Sequence, residues 1–286
     1  MTFNENSKIL IVGLGLMGGS YAQAFTSLGY KVGAIDTNPE SIKYALENNI
    51  ISEGQTQTTK EFISDYDIIV FAVYPHVILD WIKNYQDFLK KDALITDVTG
   101  VKSCFIYDAQ KLLRYDLEFI AAHPMAGRET SGVQNAKKEI FTNANFLITP
   151  TKKNSDDAIE IARKMGELLG AKTISVLSPE QHDEMIAYLS QLTHCIAVSL
   201  MTCRESESYA AFTGDSFRDL TRIAKINDEM WSELFLLNQK ELLTQMKLFR
   251  KQFKKLYKAI KDNDKEGIRE ILKLSTSKRI RFDKTK

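Results

Sequence analysis

Proline, cysteine and long hydrophobic runs are scarce in this chain of 286 residues. Its five prolines and 14 glycines are too few for a low-complexity or fibrous protein. Its three cysteines, at positions 104, 195 and 203, form no CxxC pair and no metal-ligand spacing, which favours a reducing compartment without a metal site. No run approaches the ~18 consecutive apolar residues of a membrane helix, and the first residues lack the pattern of a secretory signal. We therefore expect a cytoplasmic protein with no metal and no membrane partner.

Charge is unevenly distributed along the chain, although its net value is only +1. From residue 246 onward there are 15 Lys and Arg residues but only 5 Asp and Glu, so this segment carries +10 and the rest carries −9. A basic segment of this kind can bind nucleic acid or anionic lipid. However, Phe249, Phe253, Leu256 and Ile260 recur within it at helical spacing, which is typical of an amphipathic helix with a lysine-rich solvent face. We therefore expect no nucleic-acid partner.

Short apolar segments alternate with helix-compatible segments through the first 177 residues. Strands are predicted at residues 8–13, 31–36, 67–73, 93–97, 118–122, 145–149 and 172–177. Helices are predicted at residues 18–28, 39–48, from 76 onward, at 101–113 and at 156–169. Unbroken apolar strands separated by helices indicate a parallel sheet covered on both faces. Residues 1–177 are therefore predicted to form a doubly wound α/β domain.

The pattern changes after residue 178, because no proline follows Pro179 and helical periodicity dominates. Helices are predicted at residues 181–204, 216–224, 228–260 and 265–274. The segment 228–260 is long for a globular helix, so we expect it to break or to pack between subunits. Residues 178–286 are predicted to form an all-α domain.

A glycine-rich segment, GLGLMG at residues 13–18, lies between the first predicted strand and the first predicted helix. Its GxGxxG spacing permits a tight turn, close approach of the backbone to a pyrophosphate, and close helix–strand packing. The helix N-terminus then offers free N–H groups to the phosphates. Asp36 ends the second strand, where its carboxylate can bind both ribose hydroxyls and repel a 2′-phosphate, which favours NAD over NADP. The predicted NAD-binding residues of this segment are Gly13, Gly15, Leu16, Met17, Gly18 and Asp36.

Other predicted strands also end in residues that can contact a ligand, as expected for the carboxyl edge of a doubly wound sheet. Val73 ends one predicted strand and Tyr74 follows it, and both are predicted cofactor contacts. A plain loop start is the alternative for Tyr74 and the proline after it. The segment DVTGVK follows the next strand at residues 97–102, and HPMAGRE begins at His123. The helical half adds SQLTH at residues 190–194 and FRDLTRIA at residues 217–224.

The glycine loop, the HPMAGRE segment and the FRDLTRIA segment, in this order, resemble the prephenate dehydrogenase family. The resemblance extends over nearly the whole chain, and the two later segments are more specific than the loop. It implies a Rossmann domain joined to a helical dimerisation domain, as in 6-phosphogluconate dehydrogenase, and hence a homodimer. It also implies NAD(P)-dependent oxidative decarboxylation of prephenate to 4-hydroxyphenylpyruvate in tyrosine biosynthesis, although some members prefer arogenate.

The resemblance also implies catalytic roles. His123 matches the family's catalytic histidine, which holds the ring hydroxyl of the substrate. A neutral imidazole there can take the hydroxyl proton as hydride leaves the same carbon. Family members commonly have a serine where this chain has Gly100, so Gly100 is expected to line the substrate site. Thr99, beside it, is predicted to supply the missing hydroxyl, with a water molecule as the alternative.

Substrate binding is assigned to the helical half. Arg222 matches the family's substrate-binding arginine, because a substrate with two carboxylates needs a fixed, bidentate cation. A surface salt bridge is the alternative for this residue. Arg218, one turn earlier, is a candidate second cation or the partner of Asp219. His194 matches a second family histidine that lines the pocket, with a core histidine as the alternative.

Three other hypotheses fit parts of the sequence. A hydroxyacid dehydrogenase or a pyrroline-carboxylate reductase would share the two-domain layout, but hydroxyacid enzymes use a lysine that residues 180–203 lack. A cofactor-sensing regulator would be expected to lose the ionisable residue beside the nicotinamide, whereas His123 remains. Nucleic-acid binding through the basic segment lacks interleaved exposed aromatic residues. The remaining histidines, His76 and His182, are assigned only surface or capping contacts.

Overall fold

The computed structural model describes residues 3–205 and 207–283. The chain forms two compact units, residues 1–238 and residues 239–286. The strands of the first unit are β1 Lys8–Val12, β2 Lys31–Ile35, β3 Glu53–Gln55, β4 Ile68–Phe71, β5 Leu94–Asp97, β6 Glu118–Pro124, β7 Asn145–Thr149 and β8 Thr173–Val176. Its helices are α1 Leu16–Ser27, α2 Pro39–Glu47, α3 Lys60–Ile63, α4 Pro75–Tyr85, α5 Ile106–Leu112, α6 Asp156–Leu168, α7 Pro179–Ile186, α8 Leu192–Thr202, α9 Asp215–Thr221 and α10 Asp228–Leu237.

The eight described strands form one sheet in the order β3-β2-β1-β4-β5-β6-β7-β8. The first six positions have the strand order of a dinucleotide-binding fold, with β1 and β4 adjacent at the point where the winding reverses. Ligands bind outside the carboxyl ends of the strands at such a reversal. The predicted doubly wound sheet is therefore present, and its functional edge lies at the ends of β1, β4, β5 and β6.

Two strands, β7 and β8, run against the prediction of a wholly parallel sheet. β7 pairs antiparallel with β6, whereas β8 is parallel to β7. A parallel pair needs a crossover connection, usually a helix. The connection from β6 to β7 instead contains two short 3₁₀ turns, Val133–Asn135 and Lys138–Phe141. The chain therefore enters the sheet again in the opposite direction.

The sheet carries a hydrophobic core on each face. Along β1, Ile9 and Ile11 pack into one core, whereas Leu10 and Val12 pack into the other. All four are almost fully buried, which explains why the strand has no polar residue after Lys8. Capping residues then set the helix starts: Asn38 caps α2 and Ser155 caps α6.

The helical segment after β8 differs in detail from its predicted elements. Ser178 and Gln181 form a capping box that starts α7. A π-helical stretch, Ala187–Gln191, then separates α7 from α8 where a continuous helix was predicted. The predicted helix 228–260 is interrupted at Asn238, in agreement with the expected break. Because residues 178–238 belong to the same compact unit as the sheet, the predicted domain boundary after residue 177 stays a prediction.

One helical run, Pro179–Thr202, is long and apolar enough to cross a membrane by length and composition, with a mean hydropathy of 1.3 over 18 residues. Only 28% of that window is buried. The helical run contains three buried polar residues, His182, Asp183 and Gln191. Backbone N–H groups of Lys102 and Ser103, in the segment after β5, donate to the Asp183 carboxylate. These bonds hold the start of the run against the sheet.

The second unit contains two helices within its described residues. α11 spans Gln239–Lys261 and α12 spans Lys265–Arg279. The Asp264 side chain accepts a hydrogen bond from the Gly267 N–H and so caps α12. Phe249, Phe253 and Ile260 lie exposed on α11. The basic segment is therefore helical, as predicted, with its apolar residues at the surface of the single chain.

Candidate functional site

The turn between β1 and α1 is shaped by its glycines. Gly13 has a φ of +98°, and a Cβ there would lie 2.6 Å from the Ala72 carbonyl oxygen. A Cβ at Gly18 would lie 1.8 Å from the Gly13 carbonyl oxygen, so only glycine fits. Gly15, in contrast, has no described atom within 4 Å of its Cβ position. The turn is thus closed on its protein side and open at Gly15, which suits the close approach of a phosphate.

The first turn of α1 fits an anionic ligand. Leu16 and Met17 begin the helix, no acidic residue lies in this turn, and no described side chain caps it. Its N–H groups and the positive end of the helix dipole are therefore available to a pyrophosphate. Val73 packs against the turn, because its Cγ1 lies 2.7 Å from the Cβ position of Gly13. Tyr74 caps α4 through its backbone at the same edge of the sheet.

Asp36 lies beside the glycine turn, as its predicted role requires. Its Oδ2 accepts a hydrogen bond from the Leu14 N–H at 2.5 Å, and its Oδ1 accepts one from the Asn38 N–H at 2.8 Å. Each carboxylate oxygen retains a further lone pair for a hydroxyl donor. The glycine turn, the α1 N-terminus and Asp36 together fit an adenosine diphosphate with an unmodified ribose.

A buried ion pair organises the neighbouring strand ends. The Lys102 side chain is fully buried, and its Nζ donates to Asp97 Oδ2 at 2.5 Å and to the carbonyl oxygens of Thr99 and Ala122 at 2.9 and 2.7 Å. Burial lowers the pKa of Lys102, although the Asp97 carboxylate opposes this effect. Since Ala122 immediately precedes His123, these bonds tie the loop after β5 to the end of β6.

Thr99 does not fit its predicted role. Its hydroxyl is buried and lies 2.5 Å from Asp97 Oδ2 and 2.8 Å from the Val101 carbonyl oxygen, so its one proton is used within the loop. Gly100, next to Thr99 in sequence, lies close to His123. A Cβ added at Gly100 would lie 4.0 Å from His123 Cε1 and 3.6 Å from Leu234 Cδ1. Thr99 therefore does not supply the hydroxyl group that a serine at position 100 would provide.

His123 lies at the end of β6, half-buried, and takes part in a chain of three side chains. Its Nδ1 lies 2.9 Å from His182 Nε2, and His182 Nδ1 lies 2.8 Å from Asp183 Oδ1. Burial, together with His182 and Lys102, holds the pKa of His123 well below its ordinary value. His123 is therefore a neutral imidazole at physiological pH, the form that can accept a proton.

The helical half brings further predicted residues towards the segment after His123. Arg222 pairs with Glu129 through its Nη1, and its side chain is 62% exposed. The His194 ring stacks on Trp231 with centroids 3.7 Å apart. Burial lowers the pKa of His194, against the effect of Glu129 and of a hydrogen bond with the Ser190 carbonyl oxygen. A cation, a carboxylate and a neutral imidazole therefore lie near one another.

Of the two roles considered for Arg218, the structure contradicts pairing with Asp219. Its guanidinium donates to Asp215 Oδ1 at 3.1 Å and to the Thr213 carbonyl oxygen at 3.0 Å, and Asp219 is not its partner. α9 ends at Thr221, and a 3₁₀ turn begins at Arg222. This change of helix type lets Arg222 pair with Glu129 while Arg218 contacts its own helix start.

Family profiles match most of the chain. One described as "Prephenate dehydrogenase, nucleotide-binding domain" matches residues 22–175, and one described as "Prephenate dehydrogenase, dimerization domain" matches residues 178–274. The chain belongs to the prephenate dehydrogenase family.

Individual members of the family are similar over most of their length. The prephenate dehydrogenase of Lactococcus lactis subsp. cremoris is 30% identical over 270 residues, which cover 91% of this chain and 73% of that protein. The structure of prephenate dehydrogenase from A. aeolicus, in complex with hydroxyphenyl propionate and NAD+, is 31% identical, with a TM-score of 0.88 and coverage of 97% and 98%. Synechocystis arogenate dehydrogenase is 25% identical, with a TM-score of 0.82 and coverage of 96% and 100%. The predicted fold class and family are confirmed, and the protein is an oxidoreductase.

Three residues of the site in this prephenate dehydrogenase family member were not predicted from its sequence. His182 is fully buried and bonded to His123, so its assignment to a surface or capping contact was wrong. Asp183 and Lys102 were given no individual role. Neither residue has a local sequence signal of burial, because Asp183 stands between His182 and Glu184 and Lys102 is followed by Ser103. Their role appears only in the structure, where a buried charge requires a partner. His76, by contrast, is exposed and pairs with Glu233 at 2.8 Å.

Proposed function

We propose that this protein catalyses the NAD-dependent oxidative decarboxylation of prephenate to 4-hydroxyphenylpyruvate, with His123 as the general base. The observation that carries this assignment is a neutral histidine at the carboxyl end of β6, bordered by Gly100, in a chain of this family. The A. aeolicus relative, whose structure holds NAD+ and hydroxyphenyl propionate, supports both the cofactor and a ring-bearing carboxylate as ligand.

The residues of the glycine turn and Asp36 would hold the cofactor. The N–H groups at the start of α1 would bind the pyrophosphate, and Asp36 would accept hydrogen bonds from the ribose hydroxyls. When bound, NAD supplies the acceptor for a hydride from the hydroxyl-bearing ring carbon. Val73 and Tyr74 lie at the same sheet edge and are proposed to contact the dinucleotide.

His123 would manage the proton of the reaction. As the C–H electron pair leaves the ring carbon, the hydroxyl proton moves to His123 and the O–H pair forms the carbonyl bond. The bond to the ring carboxylate then breaks, and carbon dioxide departs as its electron pair enters the ring. The ring becomes aromatic, and the former carbonyl oxygen becomes a phenol oxygen that takes the proton back from His123. General-base assistance of this kind is worth about 10²–10⁴ in rate.

Arg222 would bind a substrate carboxylate, with His194 lining the same pocket. An arginine can exchange its Glu129 partner for a substrate carboxylate with bidentate geometry. Arg218 is not included, because its guanidinium binds both the Asp215 side chain and the Thr213 carbonyl oxygen at the start of its own helix. We further propose a homodimer formed through residues 178–286, since the matching profile is described as a dimerization domain. A cytoplasmic location remains a proposal from composition.

Arogenate is the second candidate substrate. It differs from prephenate in carrying an ammonium group on the side chain instead of a keto group. The Glu129 carboxylate, beside Arg222, is an acceptor that such a group could use. The similarity to Synechocystis arogenate dehydrogenase favours testing both substrates.

The deciding experiment measures NADH or NADPH formation by the purified protein with prephenate, arogenate and a simple hydroxyacid, each with NAD and NADP. We expect turnover of prephenate with NAD. His123→Asn is expected to lower kcat by about 10²–10⁴ while leaving NAD affinity nearly unchanged. Turnover of the hydroxyacid alone would reject the proposed reaction, and an unaltered kcat in the variant would reject His123 as the base.

A further inference from the structure

Two buried side chains lie directly behind His123 in a hydrogen-bonded chain. His182 and Asp183 have side chains that are 0% and 4% exposed. His182 Nε2 lies 2.9 Å from His123 Nδ1, and Asp183 Oδ1 lies 2.8 Å from His182 Nδ1. Both residues belong to the first turns of α7, whereas His123 ends β6. The contact between His182 and His123 therefore joins the helical segment to the proposed base.

The Asp183 carboxylate accepts several hydrogen bonds in addition to the one from His182. Its Oδ1 accepts from the Lys102 N–H at 2.9 Å, and its Oδ2 accepts from the Ser103 N–H at 2.8 Å and from the Ser103 hydroxyl. Burial by itself would raise the pKa of Asp183, but the bonds from His182 and Ser103 outweigh it and hold the pKa below its ordinary value. Asp183 is thus an ionised carboxylate, which has no proton to donate.

The protonation of the two histidines follows from this ionised acceptor. Because Asp183 only accepts, His182 Nδ1 must carry the proton of that bond. Burial lowers the pKa of His182, so its other nitrogen, Nε2, has a lone pair. That lone pair can accept only a proton carried by His123 Nδ1. A neutral His123 then has its remaining lone pair on Nε2.

The free nitrogen of His123 faces accessible space. His123 Nε2 makes no hydrogen bond to any described residue, whereas Nδ1 is engaged. Among the residues that the structure describes, the one buried side-chain nitrogen or oxygen without a partner is Thr96 Oγ1. His123 Nε2 is therefore not buried. Gly100, whose Cβ position lies 4.0 Å from the adjacent Cε1, leaves the approach to this edge of the ring open.

We propose that His182 and Asp183 are positioning residues that hold His123 in its Nδ1–H tautomer, with the Nε2 lone pair directed at the substrate hydroxyl. The inference rests on the proposed function, in which His123 is the base. The same principle operates where a buried carboxylate fixes the tautomer of a catalytic histidine in serine proteases. Here a second histidine is inserted between the carboxylate and the base.

The chain also keeps a hydrogen-bond acceptor in place for the protonated base. When Nε2 accepts the hydroxyl proton, His123 becomes an imidazolium whose Nδ1–H already donates to His182. The Asp183 carboxylate lies at the far end of the chain and attracts the new positive charge. Lys102 and Asp97 form an ion pair of zero net charge, so Asp183 contributes the uncompensated negative charge of this group. No group has to reorient during the proton transfer.

Nitrogen NMR of the histidine rings tests the tautomer without substrate or cofactor. The chain has only four histidines, so uniformly ¹⁵N-histidine-labelled full-length protein gives four ring patterns that single substitutions can assign. At a pH near 8, we expect His123 to show a protonated Nδ1 and an unprotonated Nε2. A proton on His123 Nε2 in the wild-type protein would overturn the proposal, whether or not the protein turns over prephenate.

Two substitutions at position 182 then separate positioning from packing. His182→Phe removes the acceptor but keeps a buried ring, so we expect His123 to shift towards the Nε2–H tautomer. His182→Gln retains a side-chain oxygen at about the distance of the ring Nε2, so we expect the Nδ1–H tautomer to be kept. Ser103→Ala is the matched control, because it removes one bond to Asp183 and leaves the carboxylate and His182 in place. Its tautomer pattern should match the wild type.

Kinetics provide the second measurement. We expect His182→Phe to lower kcat by about 10–100-fold, with KM for prephenate changed much less, because only proton transfer is impaired. His182→Gln should retain more of kcat than His182→Phe. An unchanged His123 tautomer in folded His182→Phe would contradict the proposal. A loss of kcat/KM that appears only as a raised KM, with kcat unchanged, would also contradict the proposal. Absence of turnover in the wild type would instead reject the proposed function, and the NMR result would still decide the tautomer.

Discussion

At the residue scale, the position of Asp36 in the backbone explains why its carboxylate is expected to distinguish NAD from NADP. β2 ends at Ile35, so Asp36 lies at the carboxyl edge of the sheet beside the glycine turn. The N–H groups of Leu14 and Asn38 fix the orientation of its carboxylate. A fixed carboxylate accepts two ribose hydroxyls without an ordering cost and repels a phosphate at the 2′ position.

Replacing Asp36 by serine should narrow the preference for NAD over NADP. The variant loses charged hydrogen bonds worth about 1.5–3 kcal/mol, so KM for NAD should rise about 10–100-fold. KM for NADP should fall, because the repulsion is removed. Steady-state kinetics with both cofactors measure the ratio. A ratio equal to that of the wild type would mean that another group contacts the ribose.

Gly100 stands where the resemblance to the family leads us to expect a serine. The Cβ position has no described atom closer than 3.6 Å, so a serine fits without backbone movement. Gly100→Ser would place a hydroxyl near His123 and the substrate hydroxyl. We expect normal folding and a KM for prephenate about 2–10-fold lower, the effect of one neutral hydrogen bond. Gly100→Ala is the control, and an equal effect of both substitutions would show that the hydroxyl makes no contact.

At the scale of elements, irregular segments rather than regular helices place the substrate-side groups. The 3₁₀ turn at Arg222–Ala224 ends α9 and lets Arg222 pair with Glu129. The π-helical stretch after α7 ends at Gln191, whose side chain donates to the Leu234 carbonyl oxygen at 2.9 Å. Asn238, where α10 ends, donates to the Asp183 carbonyl oxygen and to the Gln191 side chain. These bonds join α7, α8 and α10 around the base.

Arg222→Ala tests this arrangement of α9. We expect a loss of about 2 kcal/mol in kcat/KM, roughly 30-fold, appearing mainly as a raised KM for prephenate. The value lies at the low end for a carboxylate pair because the side chain is 62% exposed without substrate. Arg218→Ala, one turn earlier on α9, is the matched control and should change KM much less. Equal effects of the two substitutions would show that α9 contributes only its overall charge.

At the scale of the whole molecule, the second unit leaves much apolar surface uncovered. On α11, Phe253 is 63% exposed and Ile260 is 58% exposed, whereas Lys258 lies on the opposite face. Apolar surface of this extent in one chain marks an interaction surface. A second copy of the chain is the proposed partner.

Phe253→Asp should therefore weaken dimer formation. A charge within an apolar interface is costly, so the variant should dissociate at concentrations where the wild type is dimeric. Sedimentation velocity over a dilution series measures this. Lys258→Ala changes the net charge by the same one unit on the other face and should leave the dimer intact. A monomeric wild-type protein, or an unaffected Phe253→Asp dimer, would contradict the proposed interface.

Some elements could be predicted from sequence and others could not. β1, β2 and β7 were found because each is a short, almost wholly apolar run bounded by polar or glycine residues. β3 and α3 were missed, since three residues and one turn are too short for periodicity to show. The antiparallel direction of β7 was also missed, because strand direction depends on the connection and leaves no mark on the strand itself.

The order of residues along the chain determined the nucleotide-binding half of the site, because a turn, a helix start and the next strand end are local in sequence. It also determined the alternation of strands and helices, and the position of His123 at a strand end. Only the tertiary structure decided what lies behind that histidine. His182 and Asp183 are 59 and 60 positions away, and hydrogen bonds between distant buried groups follow from packing, which no local pattern encodes.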